Sequence, residues 1–204
     1  MPILGSFASQ NTKSFLFADT STFALIGSTV LSSSQSSVSY SNLNPKYTDL
    51  YLIASSRTDY ASAKDQLLIQ MNSDTTAGNY SSGYNMYDGT NASGAFYGTR
   101  TITTSGIKFA GLTGANATSG LYGVLEVDFI NFSSSTAHKT VIAEGGMSDL
   151  NATSPNVSVG SFAGNWMSTT ACNSVTLKPV NGSNFVSGST FSLYGVTRYG
   201  GFGS

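Results

Sequence analysis

Charge is scarce in this 204-residue chain: nine Lys or Arg and ten Asp or Glu make 9% of it, against about 25% in an ordinary soluble domain. The few basic residues are scattered, which excludes the Lys/Arg patch that phosphate binding needs, and with it nucleic acid as a partner. Disorder is excluded from the other direction. Disordered chains are poor in apolar residues and strongly charged, whereas this one has 12 Phe, 11 Tyr and a net charge of -1.

Cysteine occurs once, at Cys172, so no intrachain disulfide can form. Secreted domains rich in small polar residues usually carry paired cysteines. The first residues, Met1-Pro2-Ile3-Leu4-Gly5, carry no basic segment, and their apolar run is too short for a signal sequence. No stretch approaches the roughly 20 apolar residues of a membrane helix. The expectation is a protein made in a cytoplasm without a signal peptide and without membrane insertion. An extracellular-looking surface on a chain with neither signal nor cystines fits a particle assembled inside a cell and released by lysis.

Histidine also occurs once, at His138, and neither it nor Cys172 sits in a Gly-x-Ser-x-Gly or similar nucleophile setting. Too few ligands exist for zinc, and there is no Gly-x-x-x-x-Gly-Lys-Ser/Thr phosphate loop. We therefore expect no enzyme, no metal and no cofactor.

What the chain does have is alternation. Leu67, Ile69 and Met71 alternate in Gln66-Leu67-Leu68-Ile69-Gln70-Met71. Leu125, Val127 and Phe129 alternate with Glu126 and Asp128, Val175 and Leu177 lead to Pro179, and Phe191 and Leu193 are separated by Ser192. A period of two over four to eight residues reads as strands with one buried face. Segments of helical period with caps are hard to find. The spacing predicts an all-β, antiparallel β-sandwich or jelly-roll-like domain.

Turn chemistry separates the runs. Asn44-Pro45 precedes the strand around residues 50–54, residues 59–64 read as a hairpin loop, and Asp88-Gly89 and Asn181-Gly182 suit tight turns. A long central strand is expected over residues 121–132. The domain reading is a docking arm over residues 1–20, a β-sandwich over 21–198 and a glycine-rich tail over 199–204. In the arm, Ile3, Leu4, Phe7, Phe15 and Phe17 are spaced among small residues, as in a segment that packs on a partner. An edge strand of the same sandwich is the competing reading.

Three groups of residues merit chemical scrutiny. Glu126 and Asp128 share one strand face and could act as paired carboxylates on a glycoside, although the opposite face is the buried one, which favours a solvated strand. Asn72-Ser73-Asp74 with Asn79 is rich in oxygen, but has no EF-hand spacing and reads as turn chemistry. Tyr80, Tyr84, Tyr87, Tyr97 and Trp166 stand among Ser, Gly and Asn, a vocabulary of adaptable contact surfaces. They are candidates to bind a glycan. The alternative, that these rings fill a core or a subunit interface, weighs more.

Several segments together are familiar: the opening Met1-Pro2-Ile3-Leu4-Gly5-Ser6-Phe7, residues 47–57 with Leu50-Tyr51-Leu52-Ile53-Ala54, Met71-Asn72-Ser73-Asp74 with Asn79-Tyr80, and Phe191-Ser192-Leu193-Tyr194-Gly195-Val196. They resemble a family of small virion structural or fibre-like proteins of tailed bacteriophages, cyanophages included. The resemblance runs over nearly the whole chain and contains no site motif. It implies a virion β-domain, a tail-fibre or receptor-binding module, and is silent on ligand and attachment point. Taken with the composition, the expected function is a tail-fibre or tail-tip component touching the host surface, with a capsid decoration protein as the alternative and a glycan depolymerase behind both. The expected partners are copies of the chain itself as a homotrimer, since closed cyclic symmetry is the default for such assemblies, other virion proteins of tail or capsid, and a host-surface glycan, which the low net charge and the aromatic residues suit.

Overall fold

The structure is a computed structural model and describes residues 23–90, 93–149 and 156–198, with the side chains of residues 90, 93, 94, 97 and 99–104 outside that description. The five apolar arm residues, Ile3, Leu4, Phe7, Phe15 and Phe17, and the tail 199–204 lie outside the described residues.

Twelve strands are described: β1 (Phe23–Val30), β2 (Val38–Tyr40), β3 (Asp49–Ser56), β4 (Lys64–Met71), β5 (Tyr80–Thr90), β6 (Ser93–Thr104), β7 (Ile107–Thr113), β8 (Gly123–Ile130), β9 (Lys139–Asp149), β10 (Asn156–Trp166), β11 (Val175–Pro179) and β12 (Thr190–Val196). They form two antiparallel sheets, one of eight strands in the order β1-β12-β3-β8-β9-β10-β5-β6 and one of four in the order β2-β11-β4-β7. The expected all-β sandwich is what the chain forms. The alternating residues behave as the period of two requires: Leu50, Leu52 and Ala54, Leu67, Ile69 and Met71, Leu125, Val127 and Phe129, and Phe191 and Leu193 are all buried between the sheets.

The topology resolves into a simple scheme. Without the hairpins β5–β6 and β9–β10, the sheets are β1-β12-β3-β8 facing β2-β11-β4-β7, with β4 and β7 adjacent. That is the eight-stranded double Greek key of a jelly roll. The two hairpins are insertions, one between β4 and β7 and the other between β8 and β11. They extend the same sheet, because β9 pairs with β8, β10 with β9, β5 with β10 and β6 with β5. We call the extension the wing.

Two turn expectations are corrected. Residues 59–64 do not close a hairpin, since β3 lies in the large sheet and β4 in the small one; the segment is a crossover between sheets. Its Asp59 carboxylate accepts backbone N–H groups from Ser183 and Asn184, which joins it to the turn after β11. Asp88-Gly89 is not a turn either but lies inside β5, opposite Ala95 and Gly94 on β6. Local turn propensity is overridden there by a continuous ladder on both sides of β5.

The small sheet does not cover the whole inner face of the large one. Its edge strand β7 lies against β8, β9, β10 and β5. Close approach demands glycine here: a Cβ on Gly123 would sit 2.0 Å from the Gly111 carbonyl oxygen, and Gly111 has φ +115°. The open edge of β7 is capped by a side chain, for the Lys108 N–H donates to Ser82 Oγ on β5 at 2.9 Å. Beyond β7, the inner face of the wing emerges from under the small sheet.

Candidate functional site

The outer face of the eight-stranded sheet collects the chain's exposed apolar residues. Registers place Val124, Gly146, Val159, Tyr87 and Phe96 opposite one another in a single row across β8, β9, β10, β5 and β6. A second row runs from Leu25 through Tyr194, Tyr51, Asp128 and Ile142 to Ala163. Among the described residues, eight large hydrophobic side chains are exposed, and all but Met167 stand on this face: Phe23, Leu25, Val30, Phe96, Val124, Ile142 and Val159. Phe96 is 79% exposed and Leu25 59%. Scattered exposed apolar residues are ordinary, but a set gathered on one face marks a contact surface.

Aromatic rings organise two corners. At the β1 corner, Phe23 meets Tyr51 edge-on with centroids 5.4 Å apart and Tyr194 at 5.8 Å. At the wing corner, Tyr87 and Phe96 make a second edge contact at 5.3 Å. Between them lies an open depression of about 650 Å³, lined by Val124, Glu126, Glu144, Gly146, Val159 and Ser161 among others. It exists because Gly146, opposite both Val124 and Val159, raises no side chain.

The centre of the face is acidic. Glu126 and Glu144 are direct cross-strand partners, and Asp128 is the next outward residue on β8. The Tyr51 hydroxyl donates to Glu126 Oε2 at 2.5 Å. Burial and then the Glu126 carboxylate that it serves push the Tyr51 hydroxyl up to about 12. Partial burial, with the negative charges of Asp49, Glu126 and Glu144, raises the Asp128 carboxyl above its ordinary range. To the pair suspected on β8, Glu126 and Asp128, register therefore adds a third carboxylate, Glu144 of β9.

The structure separates the five proposed glycan residues. Tyr80 and Trp166 are core: both are buried, their rings stack with centroids 6.5 Å apart at 19°, and the Trp166 indole N–H donates to Asp74 Oδ2 at 2.7 Å. Neither is offered to a ligand, and the sequence reading of both as contact residues is corrected here. The reason is register, which turns Tyr80 and Trp166, partners on β5 and β10, to the inner face. Tyr84 is half-buried, packs against the core and lines a cleft at the side of the sandwich. Tyr87 stands on the outer face. Tyr97, on β6, pairs with Met86 on β5, and its side chain is outside the described residues.

The oxygen-rich loop also finds its place. Asn72 Oδ1 accepts the backbone N–H groups of Asn173 and Ser174. The Asp74 carboxylate accepts Trp166, the Asn79 amide and the Thr76 N–H. Desolvation alone would raise Asp74, but these donors outweigh it and hold the carboxyl far below the usual range. Among the described residues, no three of His, Cys, Asp and Glu converge on a metal-sized site. Cys172 is buried, its thiol donates to the Ser174 carbonyl at 3.1 Å, and burial pushes it up to about 11.

Sequence reasoning missed the apolar row. The available signal was broken alternation: Val141-Ile142-Ala143 is apolar at three successive positions, so one of them must face outward. The row itself depends on register across five strands, which single-strand patterns do not contain.

No known protein family matches the chain, and no curated protein matches it. Among solved structures, a protein of unknown function from Shewanella oneidensis MR-1 aligns at 11% identity over 90% of this chain and 80% of that one, with a TM-score of 0.20. The infectious bursal disease virus Gx strain structure aligns at 14% identity over 85% of this chain and 34% of that one, with a TM-score of 0.10. The Gt strain structure gives 8% identity, 86% and 40% coverage, and 0.12. Likenesses this slight carry no functional argument.

Proposed function

We propose that the chain is a virion structural protein of a tailed bacteriophage, a tail-fibre or tail-tip component, and that it assembles by packing the outer face of its eight-stranded sheet on a second copy of itself. The observation that carries the reading is the gathering of Phe23, Leu25, Val30, Phe96, Val124, Ile142 and Val159 on that one face. The sequence resemblance to phage structural proteins supports the setting. The jelly roll is compatible with it but hosts many functions, so topology adds little by itself.

The area is adequate. The eight strands are 7 to 12 residues long; at about 3.4 Å per residue and about 4.8 Å between strands they present roughly 1,000 Å², which covers one partner's share of a standard protein interface. The acidic centre disfavours direct superposition of two identical Glu126–Glu144 pairs, because buried like charges repel. A cyclic, offset arrangement such as a trimer avoids that clash and closes.

Size-exclusion chromatography with light scattering tests the assembly reading. The expected result is an oligomer for the parent chain and a monomer for the double variant Ile142→Lys, Val159→Lys, with the same far-UV circular dichroism. A monomeric parent, or an oligomer that survives both substitutions, overturns it. Immunogold labelling of particles tests the location: label at the tail supports a fibre, and label over the head replaces it with a decoration protein.

A further inference from the structure

A second surface lies on the opposite side of the large sheet. Where the wing's inner face emerges beyond β7, it meets the outward side of β4 and β7. Leu67 and Phe109 point into the core, where Phe109 packs on Phe162 of β10, while Gln66 and the buried Ala110 share one wall of a cleft. Opposite them, β5 presents Tyr84, Met86 and Asp88, and β10 presents Ser158. The result is a cleft of about 300 Å³, lined also by Lys64, Asp65 and Asn181.

We propose that this cleft is a binding site for a neutral saccharide of one or two rings. The volume is at the small end for ligand pockets. Its walls set apolar Met86 and Ala110 beside the Tyr84 hydroxyl and the Gln66 amide, so a donor and an acceptor stand next to an apolar wall. A polyhydroxylated ring with apolar C–H faces matches that mixture, whereas a lipid would strand the polar groups.

Charge selects against ionic ligands. Lys64 and Asp88 are paired with each other across the cleft, and Lys64 Nζ also reaches the Gly89 carbonyl. The Asp65 carboxylate is taken up by five hydrogen bonds, from Thr58 Oγ1, the Gln66 N–H, the Asn181 N–H and amide, and the Gly182 N–H. An anion or cation would have to break one of these arrangements to find a counter-charge. The Gln66 amide and the Tyr84 hydroxyl also line the cleft, and neither takes part in these charged arrangements.

This inference does not rest on the assembly reading, since the cleft and the outer face are on opposite sides of the wing. The test is saturation-transfer-difference NMR on the full chain, with methyl glycosides of glucose, galactose, mannose and N-acetylglucosamine at millimolar concentration, and glucose 6-phosphate as an anionic control. Transfer to at least one glycoside is expected, exceeding that to the phosphate. Gln66→Leu and Tyr84→Ala should each weaken binding by about tenfold, or about 1.4 kcal/mol, and Tyr84→Phe less. Because Tyr84→Ala also removes packing, Gln66→Leu is the deciding variant. No transfer to any glycoside, stronger transfer to the phosphate, or unchanged binding by Gln66→Leu overturns the proposal.

Discussion

Trp166 on β10 donates its indole N–H to Asp74, in the loop that leads from the small sheet to the wing, at 2.7 Å. One hydrogen bond thus joins the small sheet's outgoing loop to the inserted hairpin β9–β10. Because Trp166 is the only tryptophan in the chain, its fluorescence reports on this junction alone. Asp74→Ala should cost about 1–3 kcal/mol, the penalty of leaving a buried donor unsatisfied, with a shifted emission maximum in urea titrations. The pH sign follows from the depressed carboxyl: its stabilisation is complete above the ordinary carboxylate range and is lost as pH falls through the folded-state value. Asp74→Asn should flatten that acid limb.

The last described turn of chain is secured by an ion pair. Arg198 reaches both oxygens of the buried Asp49 carboxylate, with Nη2 at 2.5 Å from Oδ1, and extends to Asn131 Oδ1. Burial would raise Asp49, but Arg198 and the Asn131 N–H hold it below its usual range. Arg198→Ala should destabilise by about 1.5–3 kcal/mol, as expected for a hydrogen bond to a charged group. Asp49→Asn in the same chain should recover part of the loss, and a double-mutant cycle read by chemical denaturation measures the coupling.

On the outer face, Glu144→Gln removes a like charge directly opposite Glu126 and should stabilise the chain by about 0.2–1 kcal/mol. It should also bring the Asp128 carboxyl down toward its ordinary range, seen by carbon-13 titration of the side-chain carboxyls. With its folded-state value raised, Asp128 favours folding at pH below the ordinary range, and that contribution fades as pH rises through the folded value. Tyr51 obeys the same sign at the alkaline end. Its stabilisation should persist to about pH 10, the ordinary tyrosine value, and fade as pH rises toward about 12. Absorbance titration of the parent against Tyr51→Phe checks it.

Gly146 has φ +153°, and a Cβ there would lie 2.0 Å from the Ser158 carbonyl oxygen. Gly146→Ala must displace backbone in β10 and should cost more than about 2 kcal/mol. Gly78, at φ +96° with open space around it, is the control: Gly78→Ala adds strain without collision and should cost about 1 kcal/mol. Thermal unfolding of the two variants separates collision from strain.

The strands were legible because Leu125-Glu126-Val127-Asp128-Phe129 states its own buried face. Sheet membership was not: residues 59–64 carry good turn chemistry whether they close a hairpin or cross between sheets, and only long-range pairing decides. The aromatic residues misled for a related reason. Tyr80, Tyr84 and Tyr87 share one strand and one local composition, yet register sends the first into the core, the second to a cleft and the third to the outer face. Asp74 and Trp166 each suggested a site when read alone, and each turned out to be the other's partner.

The two hairpins of the wing are not equivalent. β9–β10 attaches directly to β8 of the jelly roll, but β5–β6 touches the large sheet solely through β10. Removing β5–β6 leaves a continuous six-stranded sheet, whereas removing β9–β10 takes away every ladder that β5–β6 has in the large sheet. The later hairpin in sequence is therefore the bridge by which the earlier one belongs to the fold.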